Sequence, residues 1–329
     1  MVRPDALDPA LTQTQIDDER AEGVTELTEA MRAALQQYPV GGICQFGKNI
    51  EDPEQLTRFN ADLQRASRWP LLIAVDEEGG AVARLANDPD FALPQYESAA
   101  AVGASGDPEQ AREMGRTIGG YLKTCGFTMD FAPDADVNNN ANNPVIGLRS
   151  FSSDPQIAAE FTSAYIAGVQ KQNVATSAKH FPGHGNVSTD SHTGLPSIDS
   201  TKEELYETEL VPFQAAIDAG TDMIMTAHIQ FPNIVTEQLY SSLQDEWMSP
   251  PATMSREILT DLLRGEMGFD GVIVTDSMTM DGVANYFDVN ERNLLAVKAG
   301  VDILDIPFND MSSWADMESK LIPLIAAFV

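Results

Sequence analysis

Positive charge is scarce in this chain. Twenty Lys and Arg stand against fifty Asp and Glu, a formal net charge of −30 at pH 7, and only seven of the twenty are lysines. Nucleic acid and anionic membranes bind to basic faces, so this balance excludes both as partners; it fits an acid-surfaced, soluble protein of a salty setting. Cysteine is scarcer still, with Cys44 and Cys125 the whole supply. Two cysteines make no disulfide framework, and their apolar neighbours mark them as buried thiols. No run of about 18 apolar residues is present, so no transmembrane helix is expected. Met1 to Asp8 lead into no apolar segment of the signal-peptide kind, which leaves the compartment open between cytoplasm and exterior. The glycine-rich fingerprints of nucleotide sites are missing too, since Gly79-Gly80 stands without the rest of such a motif.

What is present is a core and a rhythm. Hydrophobic residues fill 43% of the 329 positions. Seven short runs, 43–46, 71–75, 128–132, 175–179, 223–227, 271–275 and 302–306, are strand candidates, and Leu71 to Val75 is apolar without polar alternation. Runs of that kind are strands buried on both faces, as in parallel sheets. Helical stretches lie between them. Val24 to Tyr38 carries Leu27, Met31, Ala34 and Leu35 at helical spacing, and Asp52-Pro53 opens a helix buried through Leu56, Phe59, Leu63 and Ala66. Others run from Pro108 to Lys123, from Ser153-Asp154-Pro155 to about Lys171, from Ser255 to Arg264 and from Glu291 to Ala299. Ser200 to Ala219 reads as one more, with Ser200 and Glu203 as its capping box. Repeated strand–helix units build a parallel sheet with helices outside. The expected fold is α/β, a TIM-like (β/α)8 barrel in a single domain over residues 1–329. Seven strands are found for eight places. The first place has only Met1-Val2-Arg3 to draw on, so that strand is truncated or irregular. Leu321 to Val329 stops without a polar tail, and both ends read as trimmed.

The polar residues locate the chemistry. Asp76, Asp134, Lys179-His180, His228 and Asp276 each follow an apolar run at its carboxyl end. In a barrel those ends meet on one face, where active sites lie; a doubly wound sheet gathers only two or three of them at its switch point. Three of the four histidines fall in one stretch, Lys179-His180-Phe181-Pro182-Gly183-His184-Gly185 with Asp190-Ser191-His192. A carboxylate such as Asp190 bonded to one nitrogen of His192 orients the ring and stabilises its charged form, and the other nitrogen then moves a proton. The plainer reading is a solvent-facing histidine beside a turn-forming Asp. His180 and His184 mimic a helical zinc pair, yet Pro182 and Gly183 forbid the helix, so no metal site is expected. Asp276 reads as a nucleophile or general base, against the plainer role of a helix N-cap. Arg84, Arg149 and Lys179 are the cations that reach the same face, and Asp76 is placed to pair with them or to bind sugar hydroxyls.

These motifs together resemble glycoside hydrolase family 3, and within it the single-domain β-N-acetylhexosaminidase branch. The resemblance rests on Asp76-Glu77-Glu78-Gly79-Gly80 with Arg84, Gly147-Leu148-Arg149-Ser150-Phe151, the lysine–histidine stretch with its Asp190-Ser191-His192 step, and Val274-Thr275-Asp276-Ser277-Met278, and it spans about residues 24 to 310. It implies a retaining exo-β-N-acetylglucosaminidase that removes terminal N-acetylglucosamine from muropeptides or chitooligosaccharides, with no metal or organic cofactor. It implies Asp276 as nucleophile, His192 as acid/base and Asp190 as the group that polarises it. Asp76, Arg84, Arg149, Lys179, His180 and His228 would bind the sugar. Glu77 stands where the family often has Gln, and Ser277 where a second Asp is more common. Another family-3 activity (a β-glucosidase or a phosphate-using phosphorylase) and a sugar-binding barrel without catalysis are the alternatives.

Overall fold

The computed structural model describes residues 1–308, except Pro39, Thr189 and Thr193, and residues 317–328. Six of the seven apolar runs form strands. β1 (Gly42–Cys44) pairs parallel with β2 (Leu72–Ala74). A short antiparallel hairpin, β3 (Glu77–Gly79) and β4 (Val82–Ala83), follows at once. Then come β5 (Met129–Asp130), β6 (Ala175–Phe181) and β7 (Met223–Thr226). A second antiparallel hairpin, β8 (Leu239–Ser241) and β9 (Glu246–Met248), precedes β10 (Val272–Thr275). The larger parallel sheet has the order β10-β7-β6-β5.

Backbone bonds outside the strands connect these pieces. Thr128 N donates to Ile73 O at 3.0 Å and Phe131 N to Val75 O at 2.9 Å, between the β2 and β5 runs. Beyond β10, Thr275 N donates to Ile303 O, Ile306 N to Met1 O and Cys44 N to Val2 O, each at 3.0 Å. The expected first strand is reduced to a parallel bridge between Val2 and Ile43, and the 302–306 run to one between Val274 and Ile303. The fold is a TIM-barrel-like α/β fold. The continuous eight-stranded sheet expected from the sequence is observed as two parallel sheets, joined by isolated backbone bonds between the β2 and β5 runs and by single bridges at Val2 and Ile303.

Helices return the chain between parallel strands, among them Pro53–Ala66, Pro108–Thr124, Pro155–Gln170 and Val289–Ala299. The first three share one start. Asp52, Asp107 or Asp154 accepts from a backbone N–H of the first turn, and Pro follows where no N–H is needed. The helix expected over 200–219 is two, Lys202–Glu207 and Leu210–Asp218. Its capping box is Thr201 with Glu204 rather than Ser200 with Glu203. Thr208 leaves helical geometry, and Glu209 is buried on Asn139 Nδ2 at 2.8 Å. A central cluster draws Cys44, Ala74, Met129, Met225, Val274 and Ile306 from successive strand positions, the arrangement that fills a barrel interior with side chains. Cys44 and Cys125 are buried free thiols, as expected. No helix among the described residues is long and apolar enough to cross a membrane. Of the apolar 321–329 stretch, Ile322–Phe328 is helical and Val329 lies outside the described residues.

Candidate active site

The carboxyl ends of β2 and β6 bring Asp76 and Lys179 together. Lys179 Nζ lies 2.7 Å from Asp76 Oδ1 and 2.6 Å from Glu78 Oε1. Arg149 holds the same Glu78 from the other side, donating through Nε at 2.8 Å and Nη2 at 2.7 Å. Gly79 and Gly80, at φ 87° and 62°, turn the chain back after Glu78 in a conformation that favours glycine. Glu78 and Lys179 are both buried. Burial raises the Glu78 carboxyl, but Arg149 and then Lys179 overcome this and hold it well below the usual range. Burial lowers Lys179, and Asp76 and Glu78 overcome that and push it up. The pairing keeps Glu78 and Lys179 charged out of water, which isolated ions would not tolerate.

His180 is built from β6 and Asp136. Its Nδ1 lies 2.8 Å from Asp136 Oδ2, and Asp136 also accepts from His180 N at 3.2 Å and His184 N at 2.6 Å. Burial, with Arg149 nearby, lowers His180 to about 4. Burial raises Asp136 to about 6. At pH 7 the ring is therefore neutral, with its proton on Nδ1 toward a carboxylate. Its Nε2 accepts, and Arg149 Nη2 lies 3.4 Å away. Asp134 is pushed up to about 7, first by burial and then by the Asp136 charge. Asp134, Asp136 and His180 offer ligand atoms within 4.8 Å of one another, a donor set of metal-binding type. The positive charge among them is a guanidinium, since Arg149 Nε lies 3.6 Å from Asp134 Oδ2.

The loop beyond β6 is clamped at its base and open at its tip. Asn143 Nδ2 donates to His184 O at 2.7 Å and Gly185 O at 2.9 Å, and Asn140 Nδ2 to Val187 O at 3.1 Å. A Cβ on Gly185 would lie 1.6 Å from Val137 O, so only glycine fits there. Ser191 is buried, with its Oγ 2.9 Å from His184 Nε2 and its carbonyl accepting from Gly282 N at 3.1 Å. On either side Asp190 and His192 face outward. His192 Nδ1 lies 2.8 Å from Asp190 Oδ1, which also accepts from His192 N at 2.8 Å. These two bonds outweigh burial and lower the Asp190 carboxyl.

Asp276 follows β10, and its Oδ1 accepts from Ser277 N at 2.7 Å. Burial raises its carboxyl, but the imidazoles of His180, His228 and His192 together hold it below the usual range. Asp276, His192, Asp76 and Arg84 line one cleft of about 620 Å³, with Asp305 and Phe46 among the other walls. Arg84 Nη2 lies 3.9 Å from Asp76 Oδ2. The nucleophile candidate, the exposed histidine and the lysine-bound aspartate thus share one rim. His228 is placed differently. Its Nε2 donates to Ser277 O at 3.0 Å, and its Nδ1 lies 2.8 Å from Thr253 Oγ1. Burial lowers it, so the ring is neutral, with its proton on Nε2 and Nδ1 accepting from the hydroxyl. With both nitrogens on protein partners, His228 supports the turn after Asp276 and offers no open atom to a sugar.

Comparison with known proteins supplies the family. The model of the glycosyl hydrolase family 3 N-terminal domain matches residues 11–323. The chain belongs to glycosyl hydrolase family 3. Among its family-3 relatives, Beta-hexosaminidase A from Pseudoalteromonas piscicida is 37% identical over 290 residues, covering 86% of this chain and 48% of the relative. A Beta-hexosaminidase from Tolumonas auensis is 38% identical, with 85% of this chain and 79% of the relative covered. A family-3 β-N-acetylglucosaminidase from Paenibacillus sp. str. FPU-7 superposes with a TM-score of 0.82 at 37% identity, over 92% of this chain and 55% of that one. The chain therefore spans about half the length of the first relative and of this solved structure. In this family-3 fold, sequence reasoning missed Glu78, Asp136, Ser191 and Asp305 as parts of the site. Asp136 carried a usable signal, since it sits two residues beyond a strand-end Asp. Glu78 read as part of a loop because its partner Arg149 lies 71 residues away.

Proposed function

We propose that this chain is the catalytic domain of a retaining exo-β-N-acetylglucosaminidase, acting on muropeptides or chitooligosaccharides. We read residues 1–329 as one (β/α)8 barrel, with the backbone bonds from Ile303 through Met1 and Val2 to Cys44 as its closing seam. The observation that carries the function is the shared cleft, where Asp276 and the Asp190–His192 pair meet over Asp76 and Arg84. The relatives named beta-hexosaminidase support the same substrate class.

In the first step an Asp276 carboxylate oxygen bonds to the anomeric carbon while the glycosidic bond breaks. The leaving oxygen takes the proton from Nε2 of His192. In the second step the neutral His192 takes a proton from water, whose oxygen bonds to the anomeric carbon and releases Asp276. Two displacements give retention. Asp190 holds the Nδ1 proton, which aims Nε2 at the leaving group and stabilises the imidazolium. Asp76, Lys179 and Arg84 bind hydroxyls; Arg149 and His180 complete the sugar-binding side.

A slow fluorinated N-acetylglucosaminide should trap a glycosyl-enzyme, and peptide mass analysis should place the label on Asp276. A label elsewhere overturns the assignment. Hydrolysis of aryl N-acetylglucosaminide and of aryl glucoside, with and without phosphate, separates this activity from β-glucosidase and phosphorylase chemistry. Tight N-acetylglucosamine binding without turnover would leave a sugar-binding barrel.

A further inference from the structure

Asp305 is a buried acid that the mechanism above leaves unused. It lies near the end of the 302–306 run, facing the same cleft as Asp276, Asp76 and His192. Its backbone is laced to the strand and turn that carry Asp276. Asp305 N donates to Thr275 Oγ1 at 2.9 Å, and Asp305 O accepts from Met278 N at 3.0 Å. One oxygen of the side chain is not held in this way. Its Oδ1 is buried and has no hydrogen-bond partner among the described residues. Buried polar atoms are nearly always paired, and an orphaned one in the wall of a ligand cleft calls for a partner from the ligand.

The charges around it define that partner. Six carboxylates line the cleft, among them Asp76, Asp276 and Asp305, against the two arginines Arg3 and Arg84. Both arginines are already paired, Arg3 with Glu19 at 2.9 Å and Arg84 with Asp76 at 3.9 Å. Asp305 faces Asp76 and Asp276 across the cleft, with Arg3, the Met1 amino group and the Cys44 thiol around it. Burial, with the two neighbouring carboxylates, pushes it up to about 7, against the pull of the Met1 amino group and Arg3. Near neutral pH it therefore exists both as acid and as carboxylate. An anionic substituent would meet repulsion here, whereas a hydroxyl or an ammonium group would meet an acceptor with a vacant lone pair.

We propose that Asp305 is a specificity-determining residue of the cleft, whose free carboxyl oxygen accepts from a hydroxyl or ammonium donor on the bound hexosamine and disfavours anionic sugars. The contact deepens the glycosidase reading and rests on it for the identity of the sugar. It also leaves a de-N-acetylated sugar, cationic at neutral pH, as an acceptable ligand.

Calorimetric binding of N-acetylglucosamine and of glucosamine at pH 7, to the full chain and to Asp305→Asn, tests the contact apart from turnover. Asp305→Asn keeps the shape and an acceptor but removes the charge. It should weaken glucosamine more than N-acetylglucosamine, shifting the ratio of the two affinities about fivefold or more. Asp305→Leu, which removes the acceptor, should raise KM for an aryl N-acetylglucosaminide about tenfold, more than it lowers kcat. A purely structural role would move thermal stability without moving the affinity ratio. An unchanged ratio in Asp305→Asn overturns the proposal, and so does an unchanged KM in a folded Asp305→Leu. If the unmodified chain binds both sugars but hydrolyses no N-acetylglucosaminide, the glycosidase reading fails while the Asp305 contact is still decided by the ratio.

Discussion

The Glu78–Lys179–Arg149 cluster and the Asp190–His192 pair adjoin the same cleft, the first through Asp76 and the second through His192, and are built on opposite plans. In the cluster, the Lys179 and Glu78 side chains are each 3% exposed, and Glu78 is bonded by two cations through three short contacts. In the pair, the His192 side chain is 60% exposed and its ring is bonded to Asp190. In the mechanism proposed above, the cluster fixes charges beside the sugar, which need not change during the reaction. In that mechanism the pair holds the group that gives and takes a proton and exchanges a leaving group for water. Rigidity suits the first task, and access to solvent suits the second.

Substitutions should separate the two plans. Asp276→Asn removes the proposed nucleophile, and kcat should fall about 10⁴-fold or more while the fold is kept, checked by kinetics beside circular dichroism. Glu78→Gln should act mainly on stability. Removing the acid shared by two buried cations leaves Lys179 to Asp76 and Arg149 to Asp134 alone, so denaturant unfolding at pH 7 should show a loss of about 3 kcal/mol. The Glu78 carboxyl is depressed in the folded state. Its stabilising contribution is therefore present above the ordinary carboxylate value of about 4.3 and is lost as pH falls below it. The penalty of Glu78→Gln should shrink when unfolding is repeated at pH 3. An equal penalty at both pH values would mean that Glu78 is not the charged hub.

His192→Ala should show the opposite pattern, with kcat down about 10²–10³-fold and stability within about 0.5 kcal/mol of the parent. A large stability loss would erase the contrast between the two regions.

The same contrast explains what the sequence could reveal. Strand ends were legible because parallel strands such as Met223–Thr226 and Val272–Thr275 are apolar up to their last residue and lead into His228 or Asp276. The Asp190–His192 pair was legible because its partners are two residues apart. The buried cluster was only half legible. Its cations stood out in a chain so poor in them, but Glu77 and Glu78 look like loop acids until Tyr121 and Arg149 arrive from 44 and 71 residues away. Asp305 was hidden inside an apolar run. His228 was visible, but its ring turned out to be spent on Thr253 and the Ser277 carbonyl. At the break between Lys202–Glu207 and Leu210–Asp218, Glu209 meets Asn139, another distant partner.

Ser191 joins the two plans, and it should give the smallest of these effects. It is buried between two exposed neighbours, held by His184 at 2.9 Å and by Gly282 N at 3.1 Å. His184 is in turn fixed by Asp136, which also orients His180. Through Ser191 the rigid side thus sets where the open side starts. Ser191→Ala removes the hydroxyl but leaves the backbone bond to Gly282, so the loop should stay folded with His192 less well placed. A displacement well under an ångström supports a loss in kcat of about tenfold, with a smaller change in KM. If the effect passes through His192, Ser191→Ala should cost almost nothing further in a His192→Ala background, because coupled residues are not additive. Equal losses in both backgrounds would show instead that Ser191 shapes the cleft directly and that the acid/base loop is positioned by other contacts.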